Sequence, residues 1–171
     1  MASHQEADSQ AIQTKDGSYL LTPQAFDIVW GNENKHWRIP SNTWAGFPAE
    51  LVSVWWFELS GSVPVIPGKR YRISFKLGFN PKSFGWNTHP IFLMAKIGKS
   101  GRYVWKALTE LETMPRGPID TPADCNPFEI EVPPSALDPT LYFGIYEIWS
   151  GSSKKGLLLY SASVKEVKTD D

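Results

Sequence analysis

One cysteine, Cys125, stands in 171 residues, so no disulfide can form within the chain and packing alone must hold the core. Histidines are three, His4, His36 and His89, at no spacing that suits a metal site. Basic residues are adjacent only at Lys69-Arg70 and Lys154-Lys155, and the formal net charge is −1. The dense cationic face of a dedicated nucleic-acid binder is therefore missing. No apolar run approaches the roughly 18 residues needed to cross a bilayer, which argues against membrane insertion. The first ten residues lack the apolar heart of a signal peptide, which points to a cytoplasmic protein that is not secreted. The chain contains no GxSxG, HExxH, CxxC or phosphate-cradling glycine loop, so the expectation is a protein without catalysis, metal or cofactor.

Aromatic side chains are plentiful: eight Trp, six Tyr and nine Phe. Fourteen Pro and 13 Gly punctuate short alternating apolar runs, the pattern of strands joined by turns. The expected fold is all-β, a two-sheet antiparallel β-sandwich of jelly-roll type. Residues 1–16 are polar and aperiodic and read as a flexible arm, leaving 17–171 as one domain. Residues 50–61 read as one long strand, apolar on both faces, that carries Glu58. Residues 70–77 alternate Tyr71, Ile73, Phe75 and Leu77 with a basic outer face, and the last strand spans 157–167.

The chain is best read around residues 26–37. Phe26, Ile28 and Trp30 share one face of a strand; a polar turn follows, and a second indole, Trp37, comes seven residues later. A sugar ring has an apolar C–H face that stacks on indole and a rim of hydroxyls that amides and charged groups bind. The candidate contacts are Trp30, Asn32, Asn34, Lys35 and Trp37. Trp30 ends an apolar face and is also a candidate for the core, which makes Trp37 the preferred ligand contact. Near the carboxyl terminus, Glu147 lies among Tyr146, Ile148 and Trp149 before a polar hairpin. It reads either as an exposed edge-strand acid or as an acceptor for sugar hydroxyls and an N-acetyl N–H. Glu58 and Glu147 are also the best pair for a glycoside hydrolase, which needs two carboxylates across one cleft.

The run Ala25-Phe26-Asp27-Ile28-Val29-Trp30-Gly31 with His36-Trp37 resembles the opening motif of the phloem protein 2 family, the plant lectins related to the tobacco leaf agglutinin. The resemblance continues through Val54-Trp55-Trp56-Phe57-Glu58-Leu59-Ser60-Gly61, Tyr71-Arg72-Ile73-Ser74-Phe75-Lys76-Leu77 and Tyr142-Phe143-Gly144-Ile145-Tyr146-Glu147-Ile148, and covers residues 18–168. It implies a β-sandwich lectin for N-acetylglucosamine oligomers, either chitooligosaccharides or the glycan cores of N-acetylglucosamine-containing glycoproteins. It also implies phloem sap as the location, a homodimer, and RNA or phloem filaments as further partners. The two family Trp fall on Trp30 and Trp37, and the carboxyl-terminal family Glu on Glu147. An acidic position shortly before that Glu in the tobacco lectin aligns near Thr140, and the lysine run of its nuclear signal has no counterpart here.

Overall fold

The structure is a computed structural model, and it describes residues 3–41, 46–86, 89–108 and 117–168. Alternation of apolar and polar residues dominates these segments, and they form two antiparallel sheets packed as a β-sandwich. The smaller sheet has five strands, in the order β3 (Asp27–Ile28), β6 (Phe57–Pro64), β12 (Thr140–Glu147), β8 (Ile91–Ile97) and β9 (Val104–Leu108). The larger is built on β7 (Arg70–Phe84) and β13 (Lys155–Val167), which pair along most of their length. Around them lie β1 (Ile12–Lys15), β2 (Ser18–Leu21), β4 (Trp37–Arg38), β5 (Ala49–Leu51), β10 (Ile119–Thr121) and β11 (Phe128–Glu131).

The core is made where inward residues of the two sheets meet. Phe75 on β7 and Phe143 on β12 lie with ring centroids 5.9 Å apart, and Phe26 packs on both at 5.8 and 6.1 Å. All three rings are fully or almost fully buried. On the outer face of the larger sheet, the arginines of residues 70–77 are matched with acids, and Lys76 lies over the Tyr160 ring. Arg72 donates to Glu129 at 2.9 and 3.0 Å, Arg70 pairs with Glu131, and Lys69 meets Glu166 at 3.0 Å.

Two features differ from the sequence reading. Residues 50–61 are not one strand: β5 belongs to the larger sheet and β6 to the smaller. The chain crosses between the sheets over residues 52–56, held midway by a bridge between Val54 and Lys154. The crossing explains why both faces of this stretch are apolar, because successive parts of it face the core from opposite sides.

The amino-terminal residues are also tied to the domain. Gln5 bridges Ile28, its side-chain amide donates to Pro23 O and Phe26 O at 3.0 and 2.9 Å, and Ala11 is buried. Residues 12–15 pair with β2 throughout. A polar, aperiodic sequence can be pinned by backbone hydrogen bonds that its composition does not reveal.

Candidate functional site

β3 ends after Ile28 because the chain turns. The Gly31 N–H donates to Ile28 O at 2.9 Å, and the Glu33 N–H to Trp30 O at 3.1 Å. His36 and Trp37 then both donate to Glu33 O, which returns the chain to β4. Trp30 occupies the left-handed region at φ 63°. For a bulky side chain this conformation costs on the order of 1–3 kcal/mol and persists only where neighbours enforce it.

The enforcing neighbour is the amino-terminal segment. His4 Nδ1 accepts the Trp30 N–H at 2.9 Å, so that nitrogen is the unprotonated one. Asn32 Nδ2 donates to His4 O at 3.0 Å, and the Asn32 N–H to Ser3 O at 3.0 Å. The imidazoles of His4 and His36 sit against the indole, with centroids 4.9 and 5.6 Å from it. His36 is held in turn by a 2.7 Å hydrogen bond to Ser53 O, so its Nδ1 carries the proton. The indole is thus clasped between two imidazoles and remains 38% exposed.

Trp37 has the opposite fate. It is 1% exposed, and its ring packs against Phe57 with centroids 6.2 Å apart. The preference for Trp37 as the ligand contact is therefore corrected: β4 points it into the core, and the exposed indole of the pair is Trp30. Asn34 and Lys35 are exposed on the same turn, while Asn32 spends its amide on the His4 carbonyl.

Glu147 also departs from the reading as an open acceptor. It is buried at the end of β12, and its Oε2 lies 2.6 Å from the ammonium of Lys154, itself buried. No other N–H or O–H reaches that oxygen among the described residues. Oε1 accepts the Ser150 N–H at 3.2 Å. Burial is the largest influence on this carboxyl and opposes its ionisation. Lys154 and Ser150 together outweigh it, and the group titrates below its ordinary range. Lys154 donates as well to Ser152 O at 2.8 Å and toward Trp55 O at 3.4 Å. The pair is a clasp that joins the hairpin loop after β12 to the crossing segment at Trp55. Strand alternation does not connect Lys154 with Glu147; their placement at the two feet of one hairpin is the signal in the sequence.

Glu58 and Glu147 cannot share a catalytic cleft. In the ladder between β6 and β12, Glu58 is opposite Tyr146, whereas Glu147 is opposite Phe57. Neighbouring positions on a strand face opposite sides, so one carboxylate points outward and the other into the sandwich. Glu58 instead accepts the Trp56 indole N–H at 3.3 Å. Among the described residues no group of three or more His, Cys, Asp or Glu could hold a metal, and no helix is long and apolar enough to cross a membrane.

The architecture is that of a β-sandwich whose loops gather exposed aromatic side chains at one end of the smaller sheet. The family model of phloem protein 2 matches residues 16–165, and the chain belongs to that family. It is 41% identical over 177 residues to the Arabidopsis thaliana protein PHLOEM PROTEIN 2-LIKE A9, an alignment that covers 97% of each chain. A shorter match, 30% identical over 78 residues, joins it to Immune-associated nucleotide-binding protein 10 of Arabidopsis thaliana, covering 40% of this chain and 17% of that protein. Among solved structures, the Podospora anserina GH26-CBM35 β-(1,4)-mannanase superposes with a TM-score of 0.54 at 8% identity. That superposition covers 92% of this chain and 29% of the mannanase, a likeness of fold.

Proposed function

We propose that this phloem protein 2 family member is a non-catalytic, lectin-like carbohydrate-binding protein. Its ligands are N-acetylglucosamine oligomers, free or on glycoproteins, taken up at the Trp30 turn. The observation that carries the reading is the exposed Trp30 indole, held in an unfavourable backbone conformation by His4 and His36. Strain of this kind is maintained where a side chain must be presented in one orientation. The indole face takes the C–H face of a sugar ring, a contact worth on the order of 1 kcal/mol beyond the area it buries. Asn34 and Lys35 supply donors and an acceptor to hydroxyls and the acetyl carbonyl. Glu147 acts at one remove, by fixing the hairpin loop through Lys154.

A shallow site of this kind binds weakly, and a homodimer that presents two of them gains by avidity. Cytoplasm or phloem sap is the matching location. On the basic face of the larger sheet Arg70, Arg72 and Lys69 are already paired with acids, which favours the sugar reading over an RNA role at that face. Isothermal titration calorimetry with chitotriose, with lactose and mannose as controls, tests the proposal. Saturable heat with chitotriose alone is expected; no heat from folded protein with any of the three would overturn it.

A further inference from the structure

The outer face of the smaller sheet carries a second aromatic surface, centred across the sheet from the Trp30 turn. Strand register places its side chains in rows. Glu58, Tyr146 and Phe92 are Cα partners across β6, β12 and β8, and Ser60, Gly144, Met94 and Trp105 are partners across β6, β12, β8 and β9. Members of a row share a face, and each strand adds about 4.8 Å, so the second row spans about 14 Å from Ser60 to Trp105. Gly144 has no side chain at the middle of that row, and the Tyr146 hydroxyl lies over it, 2.9 Å from where a Cβ would stand. At its far end Phe92, Met94, Trp105 and Trp149 line a cavity of about 340 Å³. Trp105 and Trp149 are 63% and 60% exposed, and flank Phe92 with centroids 5.4 and 5.3 Å away at near-perpendicular angles.

Two exposed indoles beside one cavity form a contiguous apolar patch of the kind that marks a binding surface, and the patch is small. Full burial of a large aromatic covers about 150–250 Å², so the exposed parts of this cluster amount to a few hundred Å². A stable protein interface buries about 800 Å² per partner. The surface is ligand-sized. Its rim is polar: Glu58 holds the Trp56 indole N–H, the Tyr103 and Tyr146 hydroxyls are hydrogen-bonded to each other, and the Lys96 ammonium lies 4.6 Å from the Tyr103 ring centroid. Flat rings edged by hydroxyls, a carboxylate and an ammonium suit a carbohydrate better than an acyl chain, which gains nothing from the polar edge.

The Trp30 turn adjoins the start of these rows, because the Val29 N–H donates to Glu58 O at 3.1 Å. From this geometry we infer that the sugar site continues across the outer face of the smaller sheet. Trp105 and Trp149 then bind distal residues of an extended, equatorially linked chain. Such linkage keeps successive C–H faces presented along a flat ribbon, whereas axial linkage coils the chain off the surface. The inference rests on the carbohydrate reading of the Trp30 turn and adds a requirement for length.

The test compares chitotriose with chitohexaose by calorimetry, on the full chain and on Trp105→Ala/Trp149→Ala, with near-ultraviolet circular dichroism to confirm folding. The hexamer is expected to bind about thirtyfold more tightly than the trimer, a gain matching two further stacking contacts, and the double variant loses that gain while its trimer affinity stays unchanged. Equal affinity of trimer and hexamer for the wild-type chain, or a gain that survives in the folded double variant, overturns the extension and leaves the Trp30 site standing. Loss of a dimer on light scattering in the double variant also overturns it, since the surface would then join two copies. Absence of binding by either sugar overturns both readings together.

Discussion

Glu147 and Lys154 stand at the two feet of the last hairpin, buried together with carboxylate and ammonium 2.6 Å apart. Removing one partner of such a pair leaves an uncompensated buried charge, at a cost of about 3–5 kcal/mol. Lys154→Met is therefore expected to destabilise the protein by that amount in urea unfolding. Replacing both residues by apolar ones of similar size should regain most of the loss.

The same pair makes stability depend on pH with a definite sign. The folded Glu147 carboxyl titrates below its ordinary range, so its contribution is complete above that range. It is lost as pH falls through the lowered folded value. Glu147→Gln should be less stable than the wild type at neutral pH, and the gap should close in strongly acid solution. Denaturation midpoints across an acid pH series give the measurement.

Trp30 and Trp37 should respond to substitution in opposite ways. Trp37 fills the core against Phe57, and Trp37→Ala should cost about 3–5 kcal/mol. Trp30→Gly removes a side chain from a backbone conformation that glycine adopts freely, so stability should stay within about 1 kcal/mol. That variant should nonetheless lose about fivefold in chitotriose affinity, the cost of one stacking contact. Thermal unfolding beside calorimetry separates the two outcomes.

His4 reaches the site from the start of the chain. His4→Ala deprives the Trp30 N–H of its acceptor and removes one wall of the clasp. The expected effect is a loss of about 1 kcal/mol in stability and a several-fold loss in chitotriose affinity. Unchanged affinity in the folded variant would show that the amino-terminal segment does not position Trp30 for binding.

Alternation along strands carried most of the fold in the sequence. Tyr71, Ile73, Phe75 and Leu77 face inward as their spacing predicts. What alternation cannot report is where a strand changes sheets, and residues 50–61 read as one element for that reason. Nor does it separate two indoles in one motif: the burial of Trp37 is set by Phe57, a partner twenty positions on, and the exposure of Trp30 by a left-handed turn. Glu147 was recognisable as special but not as buried, because its counter-ion lies across a hairpin. The polar amino-terminal residues gave no periodic signal, yet they hold Trp30 through backbone groups and one imidazole.

The most direct test of the account follows the indole N–H signals of 15N-labelled protein, assigned by single Trp→Phe variants, as chitotriose is added. The Trp30 signal is expected to shift saturably while those of the buried Trp37 and Trp86 stay in place. A titration that saturates without moving the Trp30 signal would contradict a sugar site at this turn.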